Sequence, residues 1–163
     1  MINTSLCYLE QDGQWLMLHR VKKKNDVNHD KWIGVGGKCE PGEGPEACLL
    51  REVREETGLT LTAWQYRGVV DFFCPPWPAE VMHLYTATAW QGALPDRDAC
   101  DEGTLEWVDK AAVETLPIWA GDRIFFRLLA AGHPFFHLAL YYEGDTLQRA
   151  VLDGRELPPD EWF

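Results

Sequence analysis

The stretch that most constrains this chain is PEACLLREVREETG, Pro45 to Gly58. Proline fits the first position of a helix and glycine its end, so the segment reads as one capped helix. Each helical residue advances about 100°, which puts Leu49, Leu50 and Val53 on one side and Glu52, Glu55 and Glu56 on the adjoining arc. The apolar side needs a core to cover it. Like charges three or four residues apart oppose helix formation by a few tenths of a kcal/mol per pair, roughly, so the acidic side needs something positive. Two arrangements meet that need. One is a solvated face on which Arg51 and Arg54 offset the acids. The other is a divalent-cation site, because hard cations such as Mg²⁺ take oxygen ligands, commonly one or two carboxylates plus substrate phosphates.

The rest of the chain supplies mostly strands. TSLCYLE and QWLMLHR flank Gln11-Asp12-Gly13 and predict a hairpin. WIGVGGK reads as a short glycine-dense strand, and LTAWQYRGVVDFF, EVMHLYTATAW and GTLEWVD as further strands. PPWP is a stiff connector, DRIFFRLLAAG a second helix closed by Gly132, and FFHLALYYEGDTLQRAVLDG a terminal hairpin. The polar run Val21 to Lys31 breaks any period and is a loop; Arg20, just before it, and Lys22, Lys23 and Lys24 could guide phosphates but read rather as solvated. No linker or repeat divides residues 1–163, which are expected to form a single mixed α and β domain.

Charge and cysteine usage narrow the function. A formal net charge of −11 argues against a nucleic-acid or anionic-membrane binder, although metal ions can bridge an acidic protein to a polyphosphate. Five cysteines without a C-x-x-C pair read as free thiols in a reducing compartment rather than a zinc site. No apolar run approaches membrane-spanning length, and Met1 to Leu9 lacks the plan of a signal peptide, so a cytoplasmic location is expected. No G-x-S-x-G or similar nucleophile motif occurs, which fits attack by water.

Extended backward, the acidic helix becomes G-x5-E-x7-R-E-V-x-E-E-x-G-L, from Gly37 to Leu59. This string resembles the signature of the Nudix hydrolases at every specified position. The resemblance implies a Nudix fold, a mixed β-sheet sandwiched between α-helices (α/β, or α+β), and a Mg²⁺-dependent hydrolase of phosphoric anhydrides, with Mn²⁺ as a possible substitute. It implies metal ligation by Glu52, Glu55, Glu56, the Gly37 backbone and a further loop glutamate, Glu102. Glu43 and Arg51 would pair and fix the loop to the helix, and Lys38 would touch phosphate or solvent. Glu52, Glu55 and Glu102 all remain candidates for the base that takes a proton from water.

The outer segments MHLYTATAWQG, DEGTLEWV and LPIWAGDRIFFRLL resemble the MutT-type group that hydrolyses oxidised purine nucleoside triphosphates. That likeness implies a nucleoside triphosphate substrate such as 8-oxo-dGTP, cleaved to the monophosphate and pyrophosphate, by a monomer or homodimer with no nucleic-acid or membrane partner. Trp119 and Asp122 match the group's base-binding aromatic and one of its paired acids. Gly121 replaces the other acid, and Ile33 replaces an asparagine. Ile33 has no hydrogen-bonding atom for a base edge, so altered or broader base preference is expected. Trp119 reads equally as a core-packing side chain or a base-stacking one, and Phe72 and Met82 read as core side chains that could also border the pocket. The rival readings are a Nudix hydrolase of another nucleotide (an undamaged triphosphate, ADP-ribose or an RNA 5′ end) and a non-catalytic ligand-sensing domain.

Overall fold

Alternation along the first strand decides both faces of the molecule. In the computed structural model, which describes residues 1–22, 25–94, 100 and 102–163, strand β1 runs Ile2–Gln11. Leu6 and Tyr8 point to one side and Cys7 and Leu9 to the other, and all four are buried. A strand buried on both faces must be covered on both. The period repeats in strand β2 (Gln14–His19), where Trp15 and Met17 join Leu6 and Tyr8, while Leu16 and Leu18 join Cys7 and Leu9. The turn between β1 and β2 places Asp12 at φ 51° and Gly13 at φ 74°, the left-handed pair that a tight hairpin requires.

Helix α1 (Pro45–Thr57) covers the second side, burying Leu49 and Val53 against Cys7, Leu9 and Val35. It ends where Gly58 adopts φ 74° and donates its backbone N–H to the Arg54 carbonyl at 2.8 Å. Helix α2 (Asp122–Ala130) covers the first side with Ile124, Phe125, Phe126 and Leu129. Phe126 meets the Tyr8 ring edge-on at 5.1 Å, a favoured aromatic geometry. The expected mixed sheet between helices is therefore present.

WIGVGGK is two strands rather than one. Trp32–Ile33 (β3) pairs with β2, and Val35–Lys38 (β4) pairs with β1, so the chain changes partner at Gly34. A Cβ on Gly34 would lie 2.7 Å from the Cys7 carbonyl oxygen, and only glycine permits that crossing. The sheet continues through β5 (Thr60–Phe73), β6 (Glu80–Gln91), β7 (Thr104–Asp109), β8 (Phe136–Glu143) and β9 (Thr146–Leu152). A further strand, β10 (Arg155–Leu157), extends the terminal hairpin by one more antiparallel neighbour. β1 pairs in parallel with β6, and β5 in parallel with β8, which makes the sheet mixed. Cys7, Cys39, Cys48, Cys74 and Cys100 are all free thiols. No helix among the described residues is long and apolar enough to cross a membrane.

Candidate functional site

The glycines of β4 bring its backbone against β1 and α1. Gly36 pairs with Leu6 and Gly37 with Ser5. A Cβ on Gly36 would sit 1.8 Å from the Ser5 carbonyl oxygen, and one on Gly37 would sit 2.6 Å from the Glu52 carboxyl carbon. The bare main chain is what lets Glu52 lie flat along β4. Glu56, one turn further along α1, accepts a hydrogen bond from the Gly36 backbone N–H at 3.2 Å.

Arg51 ties the loop before α1 to the helix. Its Nε and Nη2 donate to the two Glu43 oxygens at 2.7 and 2.8 Å, a bidentate fork. Nη1 reaches Glu52 at 2.9 Å and Glu55 at 3.2 Å, and Nη2 also donates to the Lys38 carbonyl at 3.1 Å. The guanidinium hydrogen bond, helped by the Glu40 backbone N–H, holds the Glu43 carboxyl down at about 2. The helix acids behave differently. Burial pushes Glu52 up, although Arg51 pulls the other way. Burial pushes Glu56 well above the usual carboxylate range, reinforced by a hydrogen bond and charge from Glu102 and by the charge of Glu52.

These acids border a cleft of about 650 Å³. Gly37, Lys38, Arg51, Glu52 and Glu102 line its polar end; Ile33, Phe72, Met82, Trp119 and Asp122 line its apolar end. Glu43, Glu55 and Glu56 stand outside the lining, with Glu56 beneath β4 and Glu55 turned onto Arg51. Among the described residues, no three His, Cys, Asp or Glu side chains already form a metal-ligating group. The donor chemistry nevertheless fits a hard dication. The charge of Glu102 raises both Glu52 and Glu56, all three offer oxygen, and the missing Cβ of Gly37 leaves room for the Glu52 carboxyl.

Arg20 is not solvated: its side chain is 12% exposed, and its Nε meets Asp26 at 2.7 Å while Nη1 meets Glu102 at 2.6 Å. Lys22 donates to the Cys100 carbonyl, and Lys23 and Lys24 lie outside the described residues. Asp26 accepts the Asn28 backbone N–H at 3.2 Å, and the Asn28 side-chain oxygen accepts Trp119 Nε1–H at 2.8 Å. A continuous polar chain therefore runs from Glu102 to Trp119. Asp26, Asn28 and Glu80 all line the cleft and escaped the sequence reading. Glu80, raised chiefly by burial, faces the charges of Lys38, Asp26 and Arg20. Nothing in the local pattern around these residues marks them, since their partners are remote in sequence.

At the apolar end, Trp119 is 4% exposed and packs edge-on against Phe72 and Tyr142, each at 5.0 Å. Asp122 is buried, and burial lifts its carboxyl to about 8 against the pull of Lys31 and Arg123. The raised value favours the protonated form, which can donate as well as accept. Gly121 has no room for a second acid: a Cβ there would lie 2.6 Å from Leu140 and from the Tyr142 hydroxyl, to which the Gly121 N–H already donates at 2.7 Å.

The family model for the NUDIX domain matches residues 2–129. The Nudix hydrolase YvcI of Bacillus subtilis is 28% identical over 140 residues, covering 83% of this chain and 84% of its own. An oxidized purine nucleoside triphosphate hydrolase of Danio rerio is 28% identical over 132 residues, 80% and 83% of the two chains. The crystal structure of a MutT protein from Bacillus halodurans superposes with a TM-score of 0.79 at 26% identity, covering 94% of this chain and 98% of that one.

Proposed function

The chain belongs to the NUDIX family, and on that premise we propose that it hydrolyses a nucleoside triphosphate to the monophosphate and pyrophosphate with Mg²⁺, an oxidised purine triphosphate such as 8-oxo-dGTP being the leading substrate. One observation carries the reading: a single cleft is lined by Glu52 of α1, Gly37 and Lys38 of β4 and Glu102, and also by Trp119 and Asp122. Polyphosphate and base thus have separate, chemically suited ends.

Glu52, Glu56 and Glu102, with the Gly37 backbone and Glu55, would hold the dication. When bound, it neutralises the polyphosphate and lowers the pKa of a coordinated water. The protein's own groups account for the rest. Arg51 and Glu43 fix the loop before α1 on the helix, so the carboxylates keep their places. Water attacks one of the two phosphorus atoms that flank the α,β-bridging oxygen, the new P–O bond forms as the bond from that phosphorus to the bridging oxygen breaks, and monophosphate and pyrophosphate separate with the bridging oxygen kept by the phosphate not attacked. The proton goes to a carboxylate, for which Glu52, Glu55 and Glu102 are the candidates. Lys38 and Arg20 line the polar end and offer positive charge to the departing phosphates. Asp122 lines the same cleft, and its protonated carboxyl would hydrogen-bond the base edge.

Ile33 and Gly121 favour a second reading, hydrolysis of another nucleotide. An apolar wall discriminates by only about 1–3 kcal/mol per group, whereas a hydrogen-bonding site rejects misfits strongly. With one acid and no asparagine, a broader base preference follows. A panel of ordinary and oxidised nucleoside triphosphates, ADP-ribose and sugar nucleotides, assayed with Mg²⁺ for monophosphate and pyrophosphate, separates the two. Cleavage of ADP-ribose or a sugar nucleotide with no triphosphate turned over overturns the first reading.

A further inference from the structure

We infer that Trp77 is the surface on which the substrate's base stacks, with Trp119 serving as the wall behind the pocket. Three aromatic side chains line the cleft among the described residues: Phe72, Trp77 and Trp119. Two of them are already enclosed. Phe72 is 5% exposed, and Trp119 is 4% exposed with its edges committed to Phe72 and Tyr142. Lys31 Nζ sits over the Trp119 ring 4.8 Å from its centroid, and the indole N–H is bonded to Asn28. Stacking a base on Trp119 would require displacing a cation and opening packed contacts.

Trp77 is in the opposite condition. It is 43% exposed, and its indole has no ring, cation or hydrogen-bond partner among the described residues. A large apolar ring left bare within a concave site is surface that a ligand covers profitably. Its backbone is held in place: Pro76 and Pro78 flank it, and its N–H donates to the Cys74 carbonyl at 2.9 Å. Fixing the main chain lowers the entropy lost when a flat ligand immobilises the indole. Every nucleobase has a π-face, so this platform takes a heteroaromatic base without choosing among bases, while hydrogen-bonding groups deeper in the cleft choose.

The inference rests on the nucleotide reading above. It is tested by titrating wild type, Trp77→Ala and Trp77→Phe, each with Mg²⁺, using two probes: a purine nucleoside α,β-methylene triphosphate and inorganic tripolyphosphate, which lacks a base. Calorimetry supplies Kd, and intrinsic tryptophan fluorescence reports whether the exposed indole is quenched. The expected result is that Trp77→Ala weakens the nucleotide about 5- to 150-fold, the span of base–aromatic stacking, leaves tripolyphosphate within twofold, and abolishes most of the quench. Trp77→Phe should recover most of the affinity. With hydrolysable substrate, the loss should fall on KM rather than kcat. Equal losses for both probes, or none for the nucleotide, overturn the assignment of Trp77 alone. A wild-type protein that binds no nucleotide overturns the functional reading, and this inference with it.

Discussion

Asp122 makes the chain's stability depend on pH in a direction opposite to most carboxylates. Its folded value, about 8, lies above its ordinary value of 3.8, so the native state holds a proton that the unfolded state releases. Stability contributed by the neutral form is complete below about pH 4 and is lost as pH rises toward 8. Between pH 5.5 and 8 the interval is about 2.5 pH units at about 1.4 kcal/mol each, or roughly 3 kcal/mol. Water reaching the carboxyl from the cleft reduces this, so we expect at least about 1.5 kcal/mol. Asp122→Asn keeps the shape and removes the titration; whatever its pH-independent cost, the difference between the two proteins should shift in the variant's favour over this range. Urea unfolding of wild type and Asp122→Asn at half-unit steps from pH 5.5 to 9 measures it. Parallel curves would refute the argument, because they would mean that Asp122 ionises inside the fold as readily as outside it.

Glu56→Gln keeps the size of the side chain and an oxygen for the Gly36 N–H but removes the carboxylate, and should lower kcat by about 10²- to 10⁴-fold in a pyrophosphate-release assay while the urea unfolding midpoint changes little. Gly37→Ala places a Cβ 2.6 Å from the Glu52 carboxyl carbon, and Mn²⁺ titrated calorimetrically should bind at least about tenfold more weakly as that carboxylate is displaced. Ile33→Asn restores a donor and acceptor at the apolar end, and the kcat/KM ratio between oxidised and ordinary purine triphosphates should move by about tenfold or more.

What could be read directly from the sequence was whatever local rules determine. The Asp12-Gly13 hairpin and the helix from Pro45 to Gly58 follow from turn chemistry and capping within a few residues. The two-sided burial of β1 was less apparent, because a run such as SLCYL is apolar throughout and does not reveal which residue faces which helix. The partner change at Gly34 depends on the approach of Cys7, and no pattern inside WIGVGGK encodes it. The polar chain in the cleft was out of reach for the same reason. Arg20 and Glu102 are 82 positions apart, Asn28 and Trp119 are 91, and each residue alone looks like an ordinary loop or core side chain.

The spacing between the two ends of the cleft is set by backbone ladders on the two edges of one strand. Along one edge of β1, antiparallel pairing of Ser5 with Gly37 and Leu6 with Gly36 carries β4, and through it the acids of α1. Along the other edge, parallel pairing of Thr4 with Met82 carries β6 and the apolar end. A slip of one residue would turn every side chain of β1 to the wrong face, so both registers are pinned by the same buried alternation of Leu6, Cys7, Tyr8 and Leu9. The distance from the acids to the apolar end of the cleft is therefore a property of the sheet, insensitive to which side chains line that end. That separation explains how the chain keeps every specified position from Gly37 to Leu59 while Ile33 lines the cleft and Gly121 lies behind it against Leu140 and Tyr142: side chains can change at one end without moving a carboxylate at the other.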